Sequence, residues 1–126
     1  MSIKGHLSNE FQGKYKKVLC VCSAGMLRSP TIALVLSQDP FNYNTRSAGT
    51  NDRLAVVELT DRLLVWADEV VCADTEHAQK VTKRLQNLDL DTPIVNLGIP
   101  DIYDYRDERL MEIIYVSYRR ATMRNE

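Results

Sequence analysis

From Met1 to Lys14 the chain is polar and without periodicity, the pattern of a flexible or loosely docked leader, and an ordered domain is expected over residues 15–126. Val18-Leu19-Cys20-Val21 is a continuous apolar run of the kind that forms a parallel strand covered on both faces. Ser29-Pro30 then has the chemistry of a helix start, with Ser as N-cap and Pro at the first helical position, and Ile32 to Leu36 continues it until Asp39-Pro40. The alternation repeats. Tyr43 to Ala48 is a weak strand, and Asp52 can cap a helix carrying Leu54, Val57, Leu59, Leu63 and Leu64 to about Trp66. Glu69 to Ala73 is a β-branched strand, followed by Asp74 or Thr75 as a cap and a helix with Ala78, Val81, Leu85 and Leu88 on one side. Pro93 to Leu97 is the fourth strand. After a loop, a last helix from about Asp107 to Arg119 turns Leu110, Met111, Ile113, Ile114 and Tyr118 inward. Strand-helix alternation of this kind predicts an α/β fold, a three-layer sandwich of a four-stranded parallel sheet with helices on both faces. Ligands bind such sheets at the carboxyl ends of the strands.

With 126 residues, 44% of them apolar and 26% charged, the chain has the make-up of one globular domain and excludes fibrous and low-complexity classes. Sixteen Lys and Arg oppose seventeen Asp and Glu, a balance that invites neither nucleic acid nor an anionic membrane as partner. No signal peptide or membrane span is expected, because the first apolar run starts at Val18 and is about half the length such segments need. Three cysteines, Cys20, Cys22 and Cys72, make no disulfide framework. No C-x-x-C or Cys/His spacing suits zinc, and a reducing, cytoplasmic compartment is expected.

The first strand ends at Cys22, six residues before Arg28. Between them Ser23, Ala24 and Gly25 are small enough to let backbone N–H groups turn inward, and Met26 and Leu27 complete the loop. N–H groups, a helix amino end and a guanidinium together form a cradle for a phosphate-like dianion. The same positive surroundings favour a nucleophilic thiolate, and Ser29 can donate a hydrogen bond to that sulfur. Cys20 and Cys72 lie inside strand runs and are expected to be structural. Trp66 and Tyr115 read as core or rim packing, and His77 as a surface helix residue.

Val18-Leu19-Cys20-Val21-Cys22-Ser23-Ala24-Gly25-Met26-Leu27-Arg28-Ser29-Pro30 resembles the amino-terminal signature of the low-molecular-weight protein tyrosine phosphatases. Arg46-Ser47-Ala48-Gly49-Thr50, Leu64 to Val70, His77, and Ile99-Pro100-Asp101-Ile102-Tyr103 followed by Asp107 and Leu110 resemble the small bacterial and phage branch in order and spacing. The resemblance spans about Lys17 to Ala121. It implies hydrolysis of phosphotyrosine or small aryl phosphates without a metal or cofactor, with Cys22 as nucleophile. By the same likeness Arg28 and the backbone of residues 23–28 hold the phosphoryl oxygens, and Ser29 steadies the thiolate. It also implies an aspartic acid from a late loop as general acid. Asp101 is the positional match, with Asp104 and Asp107 as alternatives, and Tyr103 or Tyr105 could line the ring pocket.

The chain departs from the family at three points: Gly25 stands where Asn is usual, Leu27 where a second loop cysteine is usual, and Ile102 where proline usually follows the acid. Loss of that cysteine removes the protective disulfide partner of the nucleophile unless Cys20 or Cys72 can approach. Rival functions are an arsenate reductase on the same scaffold, which needs further cysteines to relay a disulfide, a non-catalytic phosphopeptide-binding module, and a phosphocysteine carrier.

Overall fold

A computed structural model of the chain describes residues 15–23, 28–51, 55, 57–100 and 107–123. The apolar run near the amino end forms β1 (Lys17–Cys22), buried on both faces. Val18, Cys20 and Cys22 point to one side of it, and Leu19 and Val21 to the other. β2 (Asn44–Gly49) is polar by sequence and becomes a strand through pairing: it lies parallel to β1 from Lys17 opposite Asn44 to Cys22 opposite Gly49. β3 (Glu69–Cys72), buried throughout, runs parallel on the opposite edge of β1, and β4 (Ile94–Asn96) pairs parallel with β3. The sheet order is β2-β1-β3-β4.

Helices cover both faces, completing the expected three-layer sandwich. α1 (Arg28–Leu36) and α4 (Glu108–Met123) lie on one side, where Ile32, Val35, Leu36, Leu110, Ile114 and Tyr118 pack against Val18, Cys20 and Val71. α2 (Asp61–Trp66) and α3 (Thr75–Asn87) lie on the other, where Leu64, Val81 and Leu85 pack against Leu19, Val21, Val70 and Cys72. Burying these apolar stripes is the main driving force for assembly. Among the described residues, no helix is long and apolar enough to cross a membrane.

The amino end of the sheet is closed by a buried polar group. Glu69 accepts from the Tyr118 hydroxyl at 2.7 Å and from Lys16 Nζ at 3.0 Å, beside a cluster of Phe41, Tyr43 and Tyr118 rings. Burial, with the hydrogen bonds to Tyr43 and Glu69, holds the Tyr118 hydroxyl well above its ordinary value, so it stays protonated as a donor.

Two expected helix starts are corrected. α2 begins at Asp61, not at Asp52. Glu58 bridges Gly49, Gly49 N–H donates to Val57, and Leu59 N–H donates to Gly49, so this segment runs alongside β2, and Thr60 Oγ1 caps the helix through Leu63 N–H. Val57 is exposed, and Asp52 and Leu54 lie outside the described residues. Ser29 is likewise not the cap of α1. The helix already includes Arg28, and the Ser29 hydroxyl is buried against β1 and β2. Pro30 still falls in the first turn, where its missing N–H costs nothing. The expected leader, 1–14, lies outside the described residues.

Candidate active site at the carboxyl end of the sheet

The chain leaves β1 toward α1 and β2 on one side, and later returns to β3 on the other. The carboxyl ends of β1 and β3 therefore flank the topological switch point, where doubly wound sheets bind ligands. Cys22 is the last residue of β1, and its side chain is 3% exposed.

Backbone hydrogen bonds continue across the sheet beyond the strand ends. Thr50 N–H donates to Cys22 O at 2.9 Å, and Asn51 N–H to Ser23 O at 2.9 Å. On the other side, Ala73 N–H donates to Val21 O at 2.9 Å and Ile99 N–H to Ala73 O at 2.7 Å. Ile99 O then accepts from Arg28 Nη1 at 2.7 Å, with Arg28 only 6% exposed. A closed series of bonds thus runs from the strand of Cys22 through β3 and the segment after β4 to the guanidinium. The Arg28 side chain is preorganised against the sheet.

Cys22 Sγ lies 3.2 Å from Ser29 Oγ, with the thiol as donor, while Ser29 Oγ is 3.5 Å from Ala48 O. The bond to Ala48 is at the long limit for a hydroxyl. Once the sulfur is ionised it can only accept, and the Ser29 hydroxyl can rotate from Ala48 O to donate to it. That rotation would turn the Ser29 proton from Ala48 O onto the sulfur.

His77 overturns the expectation of a surface residue: it is 1% exposed. Asp74 is the N-cap of α3 and His77 its N3 residue, and the imidazole Nδ1 accepts from Asp74 N–H at 3.2 Å in a capping box. That bond leaves the proton on Nε2, which points at Ser23 Oγ at 2.9 Å, and Ser23 Oγ donates to Glu76 Oε1 at 3.1 Å. The ring is buried because the exit of β1 comes to rest against the first turn of α3.

Asp107 is the cap of α4. Its Oδ1 accepts from Arg109 N–H at 2.8 Å, and its Oδ2 lies 3.1 Å from Arg109 Nη2. These hydrogen bonds hold its carboxyl below the ordinary value, so it stays ionised and is a poor proton donor. The other two candidates, Asp101 and Asp104, lie outside the described residues, as do Tyr103, Tyr105, Ala24, Gly25, Met26 and Leu27. Cys20 and Cys72 are fully buried; burial pushes the Cys20 thiol well up and the Cys72 thiol up to about 12, so both are inert. Trp66 is half-buried at the rim under Arg46, whose guanidinium carbon is 4.5 Å from the ring centroid; Tyr115, also read as core or rim, is 37% exposed with its ring 5.6 Å from that of Phe41. Among the described residues, no group of three His, Cys, Asp or Glu side chains could hold a metal ion.

Sequence reasoning missed the carbonyls of Ile99 and Ala48, which side-chain identity does not signal. It also missed the Ser23–His77–Glu76 contact, for which the spacing Asp74-x-x-His77 was a usable clue to a capping role.

The chain has the fold of the low-molecular-weight protein tyrosine phosphatases. SP-PTP, a low-molecular-weight protein tyrosine phosphatase from Streptococcus pyogenes, is similar with a TM-score of 0.64 and 17% identity, covering 86% of this chain and 93% of its own. Wzb from Vibrio vulnificus, in complex with benzylphosphonate, gives 0.62 and 18%, covering 85% of this chain and 94% of its own. The YwlE arginine phosphatase from Geobacillus stearothermophilus gives 0.59 and 19%, covering 82% and 92%. No protein-family model and no curated protein matches the sequence.

Proposed function

We propose that the chain is a cysteine-dependent protein tyrosine phosphatase. It hydrolyses phosphotyrosine or small aryl phosphomonoesters through a phosphocysteine on Cys22, without a metal. The observation that carries this reading is the junction of Cys22 with Ser29 at the switch point, beside an Arg28 side chain locked to Ile99. The Cys22 thiolate attacks phosphorus and the aryl ester P–O bond breaks, with Asp101 giving its proton to the departing phenolate. Arg28 and the backbone of residues 23–28 take the three equatorial oxygens as charge spreads over them. Water, deprotonated by Asp101, then attacks phosphorus. The S–P bond breaks, the sulfur leaves as a thiolate steadied by Ser29, and phosphate departs.

A disulfide-relay reductase is disfavoured, because Cys72 lies on the opposite face of the sheet from Cys22. The fold is shared by tyrosine and arginine phosphatases, so phosphoarginine is the competing substrate. A reducing compartment such as the cytoplasm suits the thiolate.

Hydrolysis of an aryl phosphate in the presence of chelator, at about pH 5 to 7, tests the reading. Cys22→Ser is expected to lose at least about 10³-fold in kcat, and Asp101→Asn about 10²- to 10⁴-fold. Activity retained by Cys22→Ser rules the mechanism out. A wild-type rate in Asp101→Asn moves the acid to Asp104 or Asp107. Faster turnover of phosphoarginine than of the aryl ester reassigns the substrate.

A further inference from the structure

Ser23 directly follows the nucleophile, and it is held from two sides. Its carbonyl accepts from Asn51 N–H at the exit of β2, while its hydroxyl is shared between His77 Nε2 and Glu76 Oε1 on the first turn of α3. The imidazole is itself fixed, because its other nitrogen is occupied by Asp74 N–H. Nothing in the folding of α3 calls for a contact to Ser23: the capping box uses the Asp74 side chain and His77 Nδ1 and makes no use of Nε2. A buried ring whose second nitrogen reaches across to the residue beside a nucleophile is a support for that residue. We propose that His77, oriented by Asp74 and assisted by Glu76, is a positioning residue that holds Ser23, and with it the Cys22 end of β1, through the Ser23 hydroxyl. This rests on the phosphatase reading above. The device is a side-chain clamp between α3 and the exit of β1. It restrains Ser23 at a point where Gly25, two residues on, contributes no side chain of its own.

The test compares wild type, Ser23→Ala, His77→Gln, the double variant and Ser23→Thr in the full chain. Three quantities are measured: kcat and KM on an aryl phosphate, the Kd of inorganic phosphate by calorimetry, and the melting temperature. Gln at N3 keeps the capping acceptor while losing the reach to Ser23. Each single variant is expected to lose about five- to tenfold in kcat, with KM changed by less than about twofold, and to weaken phosphate binding by a similar factor. The double variant should be no worse than the poorer single, and Ser23→Thr, which retains the hydroxyl, should stay within about twofold of wild type. Rates of Ser23→Ala and His77→Gln within twofold of wild type overturn the proposal, as do losses that multiply in the double variant. If His77→Gln fails to fold, Ser23→Ala, which leaves α3 untouched, decides alone. If Cys22→Ser keeps full activity the phosphatase reading fails, and phosphate affinity then decides: weaker binding by Ser23→Ala supports the clamp, and equal binding or none by wild type overturns it.

Discussion

His77 is where a single residue says most about the molecule. Its Nδ1 accepts and its Nε2 donates, an arrangement open only to the neutral ring. Burial, and then the nearby charge of Arg28 and more weakly that of Lys80, push its pKa below the ordinary 6.5, against an opposing pull from Glu76 and Asp74. Between the folded value and 6.5 the unfolded chain therefore binds more protons, so the contribution of His77 to stability is complete above 6.5 and fades as pH falls below it. Melting curves of wild type and His77→Gln should accordingly draw together on acidification from neutral pH. Curves that stay parallel down to about pH 5 would show that the ring does not hold its neutral form. The placing of Cys22 and Arg28 at the carboxyl end of β1 and the start of α1 was legible, because a strand-end thiol, small residues and a helix start are all local signals. The place of His77 was not, since its burial depends on the meeting of β1 and α3, which are 53 residues apart at Ser23 and Glu76.

At the level of elements, what the sequence revealed depends on how much of each element's stability is local. β1 and β3 were legible because both faces are buried and their residues read as unbroken apolar runs. α3 was legible from its stripe of Val81 and Leu85, and its Asp74 cap was one of two candidates. α2 was misplaced because a backbone bridge from Glu58 to Gly49, invisible in side-chain pattern, takes the preceding segment along β2. α4 extends beyond the expected Arg119 to Met123, and Thr122 Oγ1 bonds back to Tyr118 O in its last turns. Its start gives a direct test. Asp107→Ala should cost about 0.5–2 kcal/mol of stability by removing an N-cap while leaving kcat on an aryl phosphate within about twofold of wild type. A large loss of kcat with unchanged stability would instead make Asp107 the general acid.

For the molecule as a whole, the fold class was legible from strand-helix alternation, but the mechanical unity of the site was not. Arg28 is fixed through Ile99, Ala73 and Val21, residues drawn from three neighbouring strands or their exits, so the guanidinium is held in place only when the sheet is complete. The sheet also sorts the cysteines. Cys22 and Cys20 face α1 and α4, and Cys72 faces α2 and α3. Cys72 is thus screened from the Cys22 thiol by a layer of backbone. Cys20 shares the face but sits two residues along the same strand, where side chains emerge about 6.6 Å apart, too far for the Cβ separation of about 3.5–4.5 Å that a disulfide needs. Peroxide-treated protein should therefore gain about 16 or 32 Da on Cys22. A loss of about 2 Da with two thiols consumed would show an internal bridge that this geometry forbids. Oxidation of Cys22 cannot be handed on to Cys20 or Cys72, so recovery of that thiol depends on thiols supplied by the surroundings.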